Sequence, residues 1–135
     1  MNLVATQSTQ STNIVVTSGP RAILHVEGAV AAAAAVVAYA HLGGSWAVFA
    51  ALFLVPDLSM LGYLAGRRVG AAAYNTAHST IGPAFVAAVG LAAHVPWLLL
   101  GACIWLAHVG LDRMLGYGLK YATGFGDTHL GHKGR

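Results

Sequence analysis

Four long apolar stretches constrain what this chain can fold into more than any other feature. They cover residues 22–39, 46–65, 69–93 and 96–117, and each approaches the roughly 20 residues that a helix needs to cross a bilayer. The connections between them are short, so consecutive helices must be antiparallel neighbours. The sequence therefore predicts an all-α integral membrane protein, folded as an up-down bundle of four transmembrane helices.

The composition agrees with lipid as the surrounding solvent. Hydrophobic residues make up 57% of the chain and charged residues only 8%, whereas soluble domains carry about 25% charged residues. The net charge of +3 comes from seven Lys and Arg, and these are scattered rather than arranged in the basic stripe that a nucleic-acid backbone needs. We expect the lipid bilayer as a partner and no nucleic acid.

The predicted transmembrane domain, residues 21–117, is flanked by two polar tails. Residues 1–20 are rich in Ser, Thr, Gln and Asn, a composition that predicts a disordered tail. Residues 118–135 are Gly-rich and too short for another span. This C-terminal segment either stays mobile or folds back to cap the end of the bundle with Phe125, Asp127 and His129.

The cationic residues predict the orientation in the membrane. They precede the first helix, separate the second from the third, and follow the fourth: Arg21, Arg67, Arg68, Lys120, Lys133 and Arg135. With four helices these three places fall on one side of the membrane. The positive-inside rule then predicts a multi-pass protein of the bacterial inner (cytoplasmic) membrane with both termini in the cytoplasm.

The second and fourth helices end in similar sequences. Asp57 precedes a Met-Leu-Gly-Tyr sequence at residues 60–63, and Asp112 precedes the same tetrapeptide at residues 114–117. A two-helix parallel repeat, related by an axis along the membrane normal, would explain the similarity. Chance in a chain of such biased composition is the other explanation.

Polar side chains inside the apolar stretches are the main indication of function, because each is costly in hydrocarbon. They are Glu27, Asp57, Asn75, His78, His108, Asp112 and Arg113. With a rise of 1.5 Å per residue, the acidic and histidine side chains lie about 9–18 Å from the nearest flanking cation. All four helices thus contribute to one polar layer on the cytoplasmic side of the midplane.

This layer predicts a metal site. Three carboxylates against one guanidinium require protons, charged histidines or a bound cation. Two imidazoles with two or three carboxylates suit zinc, iron or manganese. The predicted ligands are Asp57, His78, His108 and Asp112. Glu27 or Asp57 would serve as the general base to a metal-bound water. Asn75, on the same helix face as His78, and Arg113 would support the site. A hydrogen-bonded structural network is the alternative.

Several motifs together resemble a bacterial membrane family called domain of unknown function 4260. The motifs are residues 24–28 (LHVEG), 56–63 (PDLSMLGY), 74–78 (YNTAH), 105–113 (WLAHVGLDR), 115–121 (LGYGLKY) and 127–131 (DTHLG). The resemblance extends from Arg21 to Gly131. It implies a small multi-span membrane protein with these polar motifs as its signature, and no particular activity. It also implies a supporting role for His129 in the closing motif.

Three functional hypotheses follow from these residues. The first is a metal-dependent membrane enzyme, hydrolase-like, with its site reached from the cytoplasm. The second is a proton-coupled small transporter or carrier that works as a homo-oligomer, with the same carboxylates and imidazoles as a proton relay. The third is an accessory subunit of a membrane complex, in which the polar layer only fixes the register of the helices.

Overall fold

The computed structural model describes residues 18–132, so most of the predicted N-terminal tail lies outside the described residues. The elements in chain order are α1 Ser18–His41, α2 Trp46–Leu52, a 3-10 helix Val55–Ala65, α3 Arg67–His78, α4 Ile81–Ala92, α5 Pro96–Met114, β1 Asp127–Thr128 and β2 Gly131–His132. The two strands pair as a short antiparallel ribbon. Apart from this ribbon, the regular structure is helical.

Three segments are long and apolar enough to cross a membrane. They are Gly19–His41, Trp46–Ala65, which joins α2 to the 3-10 helix, and Pro96–Met114, while α4 is a shorter apolar helix. Large apolar side chains on their outer surfaces are exposed, as lipid contact requires. The chain is therefore a mostly helical protein of the membrane-spanning type, as the hydropathy predicts.

The third apolar stretch does not form one helix, so the prediction of a continuous helix over residues 69–93 is wrong. It is divided between α3 and α4, with Ser79 in an extended conformation between them. Pro83 explains the break, because a proline clashes with the carbonyl group four residues earlier, here that of Ser79, and cannot donate to it. The Ser79 hydroxyl oxygen instead accepts the backbone N–H of Ile81 at 3.2 Å, which helps to start α4.

The second apolar stretch is helical throughout most of its length but changes type. After α2 and a two-residue turn, the chain continues as an 11-residue 3-10 helix, Val55–Ala65, with Pro56 as its second residue. Runs of 3-10 helix longer than three or four residues are uncommon and often mark a hinge or a strained segment. This irregular segment carries Asp57.

Helix α5 lies at the centre of the packing, with α1 and α4 against it, while the 3-10 helix packs on α3. The α1–α5 contact depends on two glycines. A Cβ atom at Gly110 would lie 2.6 Å from the backbone nitrogen of Ala32 and 2.8 Å from the carbonyl oxygen of Gly28. Glycine at the crossing therefore allows the two backbones to touch.

The predicted fourth helix ends at Met114, three residues before its predicted end at residue 117. Gly116 follows with a φ of 85°, a left-handed conformation that terminates helices. A ring nitrogen of His25 lies 2.8 Å from the Met114 carbonyl oxygen, so α1 supplies a hydrogen-bond donor to the end of α5.

The C-terminal segment folds back onto the bundle as far as the described residues extend. The side chain of Asn75 holds the backbone of Lys120 on both sides: its Oδ1 accepts the Lys120 N–H at 2.6 Å, and its Nδ2 donates to the Lys120 carbonyl at 2.8 Å. The backbone of Lys120 also pairs with Thr128. Of the two alternatives for this segment, the structure therefore has the folded-back one.

A candidate metal centre

Three elements that are distant in sequence bring four of the predicted site residues together. Asp57 lies in the 3-10 helix and His78 is the last residue of α3. His108 and Asp112 lie one turn apart on α5 and therefore share a helix face. Each of the four offers one ligand atom, and these atoms all lie within 4.8 Å of one another.

The distances within this group are short and nearly equal. The Nε2 atom of His78 lies 3.4 Å from Asp57 Oδ1 and 3.4 Å from Asp112 Oδ2. The Nε2 atom of His108 lies 3.5 Å and 3.4 Å from the same two oxygens. The two Nε2 atoms are 3.2 Å apart. The four atoms thus outline a small, compact polyhedron.

These separations match those between the ligands of a tetrahedral metal ion. Zinc binds imidazole nitrogen and carboxylate oxygen at about 2.0–2.1 Å, so neighbouring ligand atoms in a regular tetrahedron lie about 3.3–3.4 Å apart. Five of the six distances in the group fall between 3.2 and 3.5 Å. The sixth, between the two carboxylate oxygens, is at most 4.8 Å.

The hydrogen bond at the far side of the His78 ring fixes which nitrogen carries a proton. Nδ1 lies 2.9 Å from the carbonyl oxygen of Tyr74. A carbonyl only accepts, so Nδ1–H is the donor and the neutral ring has its lone pair on Nε2. Metal-bound histidines typically donate their second nitrogen in this way. The Tyr74 ring also stacks on His78 with centroids 3.7 Å apart.

His108 lies in an apolar environment. Its side chain is 3% exposed, and the Phe53 ring contacts it edge-on at a centroid distance of 5.2 Å. Its Nδ1 atom is buried and faces the backbone of Phe53, without a hydrogen bond of regular geometry among the described residues. Its Nε2 atom faces the other three members of the centre.

The two carboxylates of the centre need either a bound cation or added protons to balance their charge. Neutral His78 presents a lone pair on Nε2 to two carboxylates, and no Arg or Lys lies within 4.0 Å of either carboxylate among residues 18–132. Two partly buried carboxylates so close together favour a counter-charge or a proton. A divalent ion would neutralise Asp57 and Asp112 together, and added protons are the alternative.

Side chains of α5 also donate hydrogen bonds to the last carbonyl groups of α3, the helix that ends at His78. The last carbonyl groups of a helix have no partner within it. The indole N–H of Trp105 donates to the Ala77 carbonyl, and the Arg113 guanidinium donates to the His78 carbonyl at 3.4 Å. Arg113 thus contacts the backbone that carries His78 and supports the site from outside.

The other predicted site residues take different positions. Glu27 is not a member of the four-residue group among the described residues. Its side chain is exposed, whereas α1 buries the neighbouring Gly28 against α5. Asn75 faces the C-terminal segment rather than the centre. Nδ1 of His129 accepts the Leu119 N–H at 2.8 Å, so it stabilises the folded-back segment.

Lys120 is a residue that the sequence interpretation missed. The sequence predicts for it only a place on the cytoplasmic side of the membrane and membership of the motif at residues 115–121, whereas in the structure its exposed fraction is 7%. Its ammonium donates to the Phe125 carbonyl at 2.8 Å and lies 3.6 Å above the Phe125 ring. A lysine just after an apolar helix normally indicates an interfacial position, so the sequence contained no signal for this burial.

Two cavities are relevant to the centre. One, of about 200 Å³, is lined by both carboxylates and by residues of the C-terminal segment: Asp57, Met60, Tyr74, Asp112, Tyr117, Lys120 and Phe125. The other, of about 330 Å³, is almost entirely apolar and is lined by Leu52, Val55, Pro56, Ser59, Ala77, Gly101, Ile104 and Trp105. The first, the polar cavity, thus opens onto the two carboxylates, whereas the second, the apolar cavity, is lined by Pro56 and Ala77, which precede Asp57 and His78 in the chain.

Comparison with known proteins identifies the family. No curated protein and no solved structure matches the chain. A family model described as "Domain of unknown function (DUF4260)" matches residues 21–132, which include all four members of the centre and the folded-back segment. This confirms the resemblance found in the sequence motifs. The chain therefore belongs to the DUF4260 family.

Proposed function

We propose that this protein is a metal-dependent membrane enzyme with a hydrolase-like reaction at the Asp57–His78–His108–Asp112 centre. The observation that carries the proposal is the set of 3.2–3.5 Å separations among the four ligand atoms. Nitrogen and oxygen ligands in this spacing favour zinc, and iron or manganese are the other candidates.

The exposure of the carboxylates supports a reactive rather than a purely structural metal. A catalytic zinc keeps one coordination position for water or substrate, whereas a structural zinc has four protein ligands. The Asp57 side chain is 41% exposed and that of Asp112 19%. We propose that Asp57, on the irregular 3-10 helix, is the ligand that leaves the metal. Water or substrate would take its coordination position, and Asp57 would then act as general base. The metal would acidify the water.

The first test is the metal content of detergent-purified protein, measured by elemental analysis. We expect about one ion per chain, and its loss in His78→Ala and in His108→Ala. His41→Ala is the matched control, because His41 is exposed at the end of α1, and it should keep the metal. Metal that stays bound after both substitutions at the centre, or its absence from the folded wild-type protein, would overturn the proposal.

A transporter of cations or protons is the second candidate, and the broken third span supports it. Many transporters place their binding sites where a membrane helix is interrupted and a half-helix ends, as α3 ends at His78. Such a carrier would work as a homo-oligomer, since four spans enclose little space. Flux into proteoliposomes should then disappear in Asp57→Asn, and flux that survives this substitution would exclude the relay.

An accessory subunit is distinguished from both by purification. A constant stoichiometric partner would favour it, while a stable homo-oligomer with bound metal would exclude it.

For all three functions we propose an inner-membrane location with both termini in the cytoplasm, supported by the distribution of Lys and Arg. Reporter fusions at the C-terminus and in the loop at residues 42–45 should report opposite sides.

A further inference from the structure

Among residues 18–132, the buried ammonium of Lys120 forms no ion pair with a carboxylate. No Asp or Glu among the described residues lies within 4.0 Å of Nζ, and its contacts there are the Phe125 carbonyl, the Phe125 ring and, at 4.7 Å, the Tyr74 ring. Lysine is almost never fully buried unless it is paired. Burial also lowers the pKa of the Lys120 ammonium, while the charge of Asp112 opposes that shift.

Lys120 lines the 200 Å³ cavity whose other wall contains Asp57 and Asp112. Without metal, the formal charges of the two carboxylates and the ammonium add up to one negative charge. A divalent ion at the centre changes that sum to one positive charge. The loaded cavity would then favour an anion in contact with the ammonium.

The two cavities also lie in a definite order along α5. Gly101, Ile104 and Trp105 line the apolar cavity, His108 follows, and Asp112 lines the polar one. Ile104 and Asp112 are eight residues apart, about 12 Å along the helix axis. Because α5 ends at Met114, the polar cavity lies near the end of a membrane-spanning segment, where lipid headgroups begin.

We propose that the metal-loaded centre binds a phosphate group, with Lys120 as its cationic contact. The inference rests on the proposed function, whose substrate class it names. The apolar cavity, about two helical turns along α5 from Asp112, makes a phospholipid the expected source, with its headgroup at Lys120 and its chain between the 3-10 helix and α5. Free phosphate is the other source with the same chemistry.

Calorimetric titration of zinc-loaded protein tests this inference. The probes are inorganic phosphate and dihexanoyl-phosphatidic acid, with dihexanoylglycerol as the uncharged lipid. We expect both phosphate probes to bind. The Lys120→Met substitution should lower the affinity for each of them at least about 10-fold, the usual effect of losing one charged hydrogen bond. Lys120→Arg should retain binding. Arg67→Gln, which removes an exposed cation from the start of α3, is the matched control and should bind as the wild type does.

The outcomes separate this inference from the proposed function because zinc content is measured on every sample. Zinc bound at the centre without phosphate binding, or with equal binding in Lys120→Met, would overturn the phosphate site alone. Absence of zinc would overturn both. Tighter binding of phosphatidic acid than of phosphate would support the lipid source, whereas equal affinity would overturn the lipid and identify free phosphate. Limited proteolysis of Lys120→Met should show the C-terminal segment still docked.

Discussion

Tyr74 holds His78 in two ways: its carbonyl oxygen accepts the Nδ1–H at 2.9 Å, and its ring stacks on the imidazole at 3.7 Å and 9°. The two residues lie one turn apart at the end of α3, so the helix itself sets this arrangement. The contact orients Nε2 toward the centre before any ion arrives.

Removing the stacked ring should therefore weaken metal binding. We expect Tyr74→Leu to reduce zinc affinity by about 10-fold, at the lower limit for changes to groups that orient metal ligands, since the backbone hydrogen bond remains. Tyr74→Phe keeps the ring and is the matched control. Competition with a chromophoric chelator measures the affinities. Equal affinity in all three proteins would show that the ring has no orienting role.

The crossing of α1 and α5 should tolerate no side chain at Gly110. A Cβ there would lie 2.6 Å from the Ala32 backbone nitrogen, so the helices must separate. We expect Gly110→Ala to destabilise the fold by about 1–3 kcal/mol, the usual cost of overpacking. Gly101→Ala, on the same helix and with no atom within 4 Å of the added Cβ, should have little effect. Unfolding in a detergent mixture measures both, and equal stabilities would contradict this packing.

Asn75 should control the docking of the C-terminal segment. Asn75→Ala leaves the Lys120 N–H and carbonyl groups without their side-chain partner, and each unsatisfied buried group costs about 1–3 kcal/mol. We expect faster hydrogen exchange across residues 118–132, with zinc still bound. Thr76→Val is the matched control, because the neighbouring Thr76 hydroxyl donates only within α3, to Ala72. Unchanged exchange in Asn75→Ala would show that the Asn75 side chain does not hold the C-terminal segment in place.

Docking of the same segment should weaken in acid through His129. Burial, and then the charge of Arg113, lower the pKa of His129 below its ordinary value, and a hydrogen bond with the Leu119 backbone opposes this shift. In the docked segment Nδ1 is unprotonated and accepts the Leu119 N–H. As the pH falls, His129 therefore takes up a proton first in the undocked segment, near pH 6.5. Docking is strongest above that pH and is lost as the pH falls through it toward the lowered value.

Hydrogen exchange of residues 118–132 between pH 5 and pH 8, corrected for the intrinsic exchange rate, measures this effect. The control is His129→Gln, which keeps an acceptor but does not titrate, and its docking should depend less on pH. The same pH dependence in both proteins would assign the effect to another group.

The sequence predicted the class of protein because hydropathy is a property of each stretch by itself. Apolar runs long enough to span a bilayer, and the cost of polar groups within them, could be identified without knowing any contact. That reasoning selected Asp57, His78, His108 and Asp112, and the structure brings these four together. The motifs were also sufficient to identify the family.

Other features depend on how the helices pack against one another. Depth along a helix placed Glu27 in the same layer, but the glycine contact between α1 and α5 turns Glu27 to the exposed side. The division of the third apolar stretch into two helices and the burial of Lys120 also required the structure. Hydropathy predicts which stretches are apolar enough to span a membrane. Helix rotation, helix breaks and the return of the C-terminal segment are decided by contacts between residues far apart in sequence, and therefore only by the tertiary structure.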